Sequence, residues 1–419
     1  MAISGLGVGL ASDRLNELLA LVTRDNPFHR RRLEALDLGA DAALGDLPPL
    51  TKLELVHDQE RNPPFGTNLT YPLERYTQLH QTSGTTGPPL RVLDTSEDWA
   101  WWRERFAHTL TVAGIGADDR VALTYSFGPH VQFWAAKGGL EELGAMAIAL
   151  GGMGSTQRLQ TIDEVGATAI WCTPTYALRL LEVAVEQRLE AALDSVEYVL
   201  CTGEPGASLP AVRARIEEGF GARCIDHAGL TEAGPFGHPC SEGHGLHVDE
   251  SEFICEIVDE DLRPAALGER GELLITPLRR TGFPVLRYRT GDVVVNTDER
   301  CPAGHEDRWL PGGIVGRSDD MVVIRGMNVY PSAIEEAVRQ VSSTGEFRIT
   351  FYTERSGMDE VKLEVELTEG ADARRLQETM RQQLGLRVRV VPIAPGVLPR
   401  QTGKSRRVVD ERSPRWVAS

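Results

Sequence analysis

The sequence predicts an α/β protein: a large N-terminal portion built on α/β sheets, a small β module within it, and a compact α+β portion at the C-terminus. Three observations carry this. Strand-like and helix-like segments alternate between residues 120 and 226, the texture turns strand-rich after 246, and a new α+β pattern begins past Gly316-Arg317-Ser318-Asp319-Asp320. The chain has 419 residues, which at about 100–200 residues per domain implies two or three domains. We expect the boundaries at 1–316, with the β module within about 246–316, and 317–419.

The elements follow from local chemistry. Residues 12–60 read as helices interrupted by Pro27 and Pro48-Pro49, and Asn62-Pro63-Pro64 as a loop, because proline fixes φ and removes a donor. Trp99, Trp102, Phe106 and Leu110 recur at helical spacing over 96–113, with Ser96, Glu97 and Asp98 as the N-terminal signal. Then come strand 120–125, helix 132–143, strand 145–150, helix 156–165 and strand 169–172. Helix 176–190, strand 198–202, helix 210–219 and strand 223–226 complete a β-α alternation that calls for a parallel sheet. Segments 247–258, 271–276 and 292–297 read as strands of the β module. The C-terminal portion reads as strand 321–324, helix 331–341, strands 346–353 and 361–367, helix 371–384 and strand 387–392, ending in a polar tail from Pro399 to Ser419.

Composition narrows the function. With 44 basic and 61 acidic residues the formal charge is −17, a field that repels phosphate backbones and anionic lipid, so neither nucleic acid nor membrane is expected as a partner. No apolar run approaches the roughly 20 residues of a membrane span, and the start carries no leader pattern. Six scattered cysteines make no disulfide framework and fit a reducing cytoplasm. Lysine is confined to positions 52, 137, 362 and 404, which makes Lys404, beside Gly403 near the C-terminus, conspicuous.

Several segments carry chemistry. Gln81-Thr82-Ser83-Gly84-Thr85-Thr86-Gly87 is a Ser/Thr/Gly loop whose hydroxyls and N–H groups can surround phosphate oxygens, although it lacks the Gly-Lys-Ser/Thr of a P-loop. Thr202-Gly203-Glu204-Pro205-Gly206 follows one strand and Asp226-His227-Ala228-Gly229-Leu230-Thr231-Glu232 another. Arg287-Tyr288-Arg289-Thr290-Gly291-Asp292, Gly316-Arg317-Ser318-Asp319-Asp320, the run from Arg325-Gly326 to Tyr330-Pro331, and Leu398-Pro399-Arg400-Gln401-Thr402-Gly403-Lys404 come later.

In this order these segments resemble the adenylate-forming (acyl-CoA synthetase) superfamily, and the phenylacetate–CoA ligase-like family within it, from about residue 75 onward. The resemblance implies a large adenylation domain with a small mobile C-terminal domain. It also implies ATP and Mg²⁺, an acyl-adenylate formed with loss of pyrophosphate, and coenzyme A as the usual acceptor. It assigns Ser83, Gly84, Thr85, Thr86 and Gly87 to the β- and γ-phosphates, and Gly203, Glu204, Pro205, Asp226 and His227 to the nucleotide. Glu232 is assigned to Mg²⁺, Thr231 to the α-phosphate, and Asp292, with Arg317 beside it, to the ribose. Lys404 would bridge the acid oxygen and the α-phosphate, where charge builds in the transition state. Asp319 or Asp320 would be the hinge, and Arg325-Gly326 would help form the thiol tunnel after the C-terminal domain turns. Homodimers are common among such relatives, but the chain carries no interface signature.

Two positions depart from the pattern. The loop runs Gly87-Pro88-Pro89 where relatives have Gly-Lys-Pro, leaving Arg91 as a candidate substitute cation, and Ala228 stands where an aromatic is usual. The acid pocket is expected around Tyr125, Phe127, His130 and Ala228, whose aromatics favour a small aromatic acid. Cys240-x₆-His247 with Cys301-x₃-His305 matches zinc-ligand spacing, the site being structural if all four bind; the alternative is ordinary loop residues around a buried cysteine. The leading function is an aryl-acid–CoA ligase. The alternatives are an adenylating enzyme with another acid or acceptor (an amine, a carrier protein, or nitrite for diazotisation) and a non-catalytic nucleotide-binding relative.

Overall fold

The computed structural model describes residues 7–38, 43–82, 89–204, 206–318, 320–324, 327–341, 344–354, 358–367, 372–384, 388–400 and 407–412. Ser83, Gly84, Thr85, Thr86, Gly87, Pro205, Asp319, Arg325, Gly326 and Lys404 lie outside the described residues.

The predicted β-α alternation folds into a five-stranded parallel sheet, with strands ordered Met146–Ala149, Arg120–Leu123, Ala169–Cys172, Tyr198–Cys201, Arg223–Asp226. Its two faces pack against different cores. Val121, Leu123, Trp171, Leu200 and Ile225 enter one, while Ala122, Ile170, Cys172, Val199 and Cys201 enter the other. A sheet covered on both sides needs apolar residues at successive positions, and these strands have them.

Helix Ser96–Ala113 fills the first of these cores with Trp101, Trp102, Phe106 and Leu110, each burial stabilising by about 1.5–3 kcal/mol. Its cap is Thr95, one residue before the expected Ser96: the Thr95 side chain accepts from Asp98 N at 3.1 Å, and Asp98 returns the bond to Thr95 N at 3.0 Å. Ser96 lies inside the helix, its hydroxyl donating to Glu97.

The β region differs from expectation in two ways. It starts at residue 228 instead of 246, because Ala228–Leu230, Gly234–Pro239, Gly245–Val248 and Arg308–Pro311 form one antiparallel sheet. The single strand predicted over 247–258 is two strands in different sheets, Gly245–Val248 and Phe253–Val258. The second sheet continues with Arg270–Pro277, Tyr288–Val295 and Gly316–Arg317.

Residues 322–388 carry a hydrophobic core of their own, centred on Ile334, Phe347, Ile349, Leu363, Leu376 and Met380. The tail is not wholly irregular: Val408–Asp410 joins in parallel beside Thr344–Thr353. Among the described residues no helix is long and apolar enough to cross a membrane.

Candidate active site

In a parallel sheet the strand ends present loops to ligand at the carboxyl edge. Here that edge carries residues 124–130, 173–175, 202–204 and 226–232. Tyr125 donates its hydroxyl to Cys172 O at 2.8 Å, tying two of these loops together. His130 Nδ1 lies 3.1 Å from Gln81 O, and Gln81 N donates to Pro129 O at 2.8 Å, so the approach to the phosphate-loop segment abuts the expected acid pocket. The base of that segment is closed by Thr82 and Leu90, which exchange backbone and hydroxyl bonds at 3.0 Å.

Glu232 is the centre of the arrangement. Its residue is 4% exposed, and its carboxylate meets two partners the sequence did not single out. Lys52 Nζ stands 3.6 Å from Glu232 Oε1. The buried Tyr288 hydroxyl is raised well above its usual range by burial and then by the charge of Glu232, with Arg317 and Asp292 acting on it as well.

Lys52 reaches the site for a local reason. Leu50 exchanges backbone hydrogen bonds with Arg287 and Arg289 at 3.0 and 2.9 Å, laying residue 50 against strand Tyr288–Val295. Thr51 and Glu54 then form a capping box that starts helix Lys52–Arg61 with Lys52 as its first residue. Arg91, the sequence candidate for a replacement cation, instead donates to Pro64 O at 3.1 Å. Only distant pairing brings Lys52 and Glu232 together, which is why spacing gave no sign of it.

The backbone beneath Glu232 is held by a buried guanidinium. Arg280 is 0% exposed; its Nη1 donates to Thr231 O at 2.9 Å and Glu232 O at 2.7 Å, while its Nε donates to Asp94 Oδ1 at 2.7 Å. The guanidinium also lies over Trp102, 5.4 Å from the ring centre. Asp94 and Arg280 are 186 residues apart, and sequence reading missed both.

Asp292 and Arg317 face each other across paired strands, with Arg317 Nη1 donating to Asp292 Oδ1 at 2.9 Å. Asp226 is half-buried, its Oδ1 accepting from His227 N at 3.0 Å and its Oδ2 meeting the Ser208 hydroxyl; desolvation pushes this carboxyl up. The His227 ring is packed against Phe106 and Trp171 with Nδ1 2.9 Å from Gly237 O, and burial pushes it down to about 4. Gly203 turns with φ +95°, and Glu204 Oε1 accepts from Thr175 N at 2.9 Å, at the start of helix Pro174–Gln187. Phe127 is 52% exposed and meets Phe133 edge-on, whereas Ala228 is buried. Asp320 is exposed.

A second constellation lies in the β region. Cys240, His247 and Cys301 present ligand atoms within 4.8 Å of one another. The two sulfurs are 3.6 Å apart, far beyond a disulfide's ~2.0 Å and close to the ~3.8 Å edge of a tetrahedron with zinc–sulfur bonds of about 2.3 Å. His247 Nδ1 faces Asp307 O at 3.3 Å, and its buried Nε2 has no hydrogen-bond partner among the described residues. A zinc-bound imidazole is arranged in this way, one nitrogen held by a carbonyl and the other offered to metal. His305, the fourth expected ligand, packs its ring 4.5 Å from that of His247, with Nε2 2.9 Å from Ser241 Oγ. The hairpin carrying Cys240 needs glycine at 245, where φ is +125° and a Cβ would sit 2.3 Å from Leu310 O. Cys240, His247 and Cys301 fit zinc; His305, expected as the fourth ligand, is not among the atoms that converge. Metal analysis of the chain purified without chelators should give about one zinc per chain, and Cys301→Ser should lose it and melt at a lower temperature. Less than about half a zinc per chain would count against the site.

Comparison with known proteins meets this geometry. A family profile described as "AMP-binding enzyme" matches residues 75–277, and one described as "AMP-binding enzyme C-terminal domain" matches 326–412. The phenylacetate-coenzyme A ligase of Thermus thermophilus is 32% identical, the match covering 96% of this chain and 96% of that protein. That of Escherichia coli is also 32% identical, over 96% and 94%. The chain belongs to the adenylate-forming enzymes, in the phenylacetate–CoA ligase-like family.

As a member it is an AMP-forming ligase, and the non-catalytic reading falls. Among solved structures, a 2-hydroxyisobutyryl-CoA ligase in its postadenylation state, in complex with 2-HIB-AMP, superimposes with TM-score 0.89 at 32% identity, covering 96% of this chain and 89% of that one. The same ligase in the thioesterification state, with 2-HIB-AMP and CoA, gives 0.73 at 32% identity, over 98% and 91%.

Proposed function

We propose that this ligase joins a small carboxylic acid to coenzyme A through an acyl-adenylate. The observation that carries the reading is the gathering of Glu232, Lys52, Tyr288, Asp292 and Arg317 at the carboxyl edge of the sheet. The first half-reaction must bring a carboxylate against a triphosphate, so cations and oriented donors have to offset anion repulsion.

Each residue then has a task. Glu232 is the carboxylate suited to Mg²⁺, which neutralises phosphate charge when bound. Lys52, beside it, supplies positive charge that the Gly87-Pro88-Pro89 sequence of the loop does not. Asp292 accepts from the ribose hydroxyls while Arg317 keeps its carboxylate paired. Thr231 stands at the α-phosphate, and the backbone of 231–232 is fixed by Arg280. Lys404, carried by the 317–419 unit, stabilises charge on the reacting oxygens, and Asp319 or Asp320 is the hinge for that unit. Zinc in the Cys240, His247, Cys301, His305 set is structural, tying together two turns of the β region.

The acid is aromatic in our reading, entering beside Tyr125, Phe127 and His130. A second reading, a small branched hydroxy acid, is favoured by the 0.89 superposition on a ligase holding 2-HIB-AMP. With free, mostly buried cysteines and no described membrane helix, the cytoplasm is the compartment we propose.

ATP–pyrophosphate exchange should appear with phenylacetate, benzoate or 2-hydroxyisobutyrate, and adding CoA should give the matching thioester by mass spectrometry. Exchange without a thioester would transfer the acyl group to an amine or carrier protein. Exchange only with nitrite, or with no acid, would overturn the proposal.

A further inference from the structure

Among the described residues, the C-terminal unit meets helices Pro174–Gln187 and Pro210–Phe220 of the first unit through four polar contacts. Arg407 donates from Nη1 to Thr175 Oγ1 at 3.1 Å. Arg400 Nε stands 3.3 Å from Glu182 Oε2. Ala211 N donates to both carboxylate oxygens of Glu336, at 3.0 and 3.1 Å. Arg215 reaches Thr344 O at 3.3 Å. We infer that Arg407, Arg400 and Glu336 form a clamp that holds the C-terminal unit in the orientation used for adenylation, and are therefore positioning residues for that half-reaction. The inference rests on the function proposed above.

Three physical features support it. Thr175 and Glu182 are seven residues apart, two turns along one helix face, so both arginines grip the same stripe. Those arginines bracket residues 401–406 in the chain, the six that include Lys404. Securing both ends limits the loop-closure entropy of presenting what lies between them.

Arg407 is 4% exposed and is set in place by its own unit before it meets the other. It pairs with Glu335 at 2.9 Å and with Glu346, and its guanidinium lies 4.8 Å from the Phe347 ring centre. Its bond to Thr175 and the charge of Glu204 reach across to the first unit, while its ion pairs lie within its own, so undocking leaves a preformed cation ready to return. Glu336 does for helix Pro210–Phe220 what that helix lacks. Its N-cap, Leu209, has no capping side chain, so the carboxylate from the other unit satisfies a helix N–H and faces the positive end of the dipole.

The solved ligase makes the link to orientation. At nearly the same identity, 32% and 31%, its postadenylation state superimposes at 0.89, and the open conformation with CoA at only 0.73. The sequences compared are alike, so the difference between these scores lies in arrangement, and the clamp belongs to the first.

The test leaves the arginines in place: Thr175→Val with Glu182→Gln removes their partners on the first unit, and Glu336→Ala separately removes the C-terminal unit's acceptor for the Ala211 N–H. Pyrophosphate exchange should fall about tenfold, while thioester formation from supplied acyl-adenylate and CoA keeps its rate or rises. Spin labels at Asp118→Cys and Met358→Cys, both exposed, should show a broader inter-unit distance distribution in these variants. Unchanged exchange, an equal fall in both half-reactions, or an unchanged distance distribution would overturn the clamp. If the wild type exchanges with no acid, the proposed function fails alone, because the label distances need no turnover and still decide the clamp.

Discussion

Lys404→Ala should lower ATP–pyrophosphate exchange by about a thousandfold while leaving the melting temperature within about one degree of wild type. The step builds negative charge on oxygens between the acid and the α-phosphate, and a single donor aimed at such charge in a water-poor site is worth roughly 10²–10³ in rate. No other lysine can take over from within the C-terminal unit's catalytic segment, since the chain has only Lys52, Lys137, Lys362 and Lys404. The second half-reaction separates the role from general damage. Thioester formation from supplied acyl-adenylate should keep most of its rate, because there the thiol attacks the acyl carbon and AMP leaves, with no carboxylate attack on the α-phosphate. Full exchange in the variant would remove Lys404 from the mechanism, and equal loss in both half-reactions would reassign it to architecture.

Arg280→Ala carries the largest expected cost in stability, about 3–5 kcal/mol in denaturant unfolding, because it strands the Asp94 carboxylate in the interior. Burial alone would push that carboxyl up. The Arg280 guanidinium, with His80 close by, more than offsets burial and holds it below the usual carboxylate range. A carboxylate depressed in the folded state contributes stability above its unfolded value of about 3.9, lost as pH falls through the folded one. The variant should therefore lose much of the wild type's steep acid destabilisation.

The same substitution releases the carbonyls of Thr231 and Glu232, so exchange should fall as well. Arg280→Ala combined with Asp94→Asn distinguishes the two effects. The double variant should recover part of the stability, since no charge is left unpaired, without recovering exchange. A single variant as stable as wild type would mean that the pair does not hold this part of the core together.

Much of the fold was legible because it rests on short-range pattern. Strands 169–172 and 223–226 lie where apolar runs and flanking turns put them, and the faces of the parallel sheet follow from continuous burial. The errors came where neighbours in sequence part company in space. Residues 247–258 look like one strand, yet the turn between Val248 and Phe253 sends the halves to different sheets. Residues 408–410 look like tail until Ile349, Thr350 and Phe351 supply a strand edge to pair with.

The candidate site divides in the same way. Glu232, Asp292 and Arg317 were visible as members of ordered motifs. Lys52, Asp94 and Arg280 were not, because each acts across a distance that no local window spans: 180 residues from Lys52 to Glu232, by their numbers, and 186 from Asp94 to Arg280; Tyr288 stood inside a motif without a role of its own.

The sequence by itself determined the family, the order of the strands and helices that build the sheet, and which acids and bases are present to meet a nucleotide. Tertiary structure alone decided which cation stands beside Glu232, which buried pair fixes the turn that carries it, and how the C-terminal unit is held. Motif and periodicity record each residue's relation to its near neighbours. Ion pairs, helix caps and strand edges are satisfied by whatever folding brings within about 3 Å, however far away in the chain that partner lies.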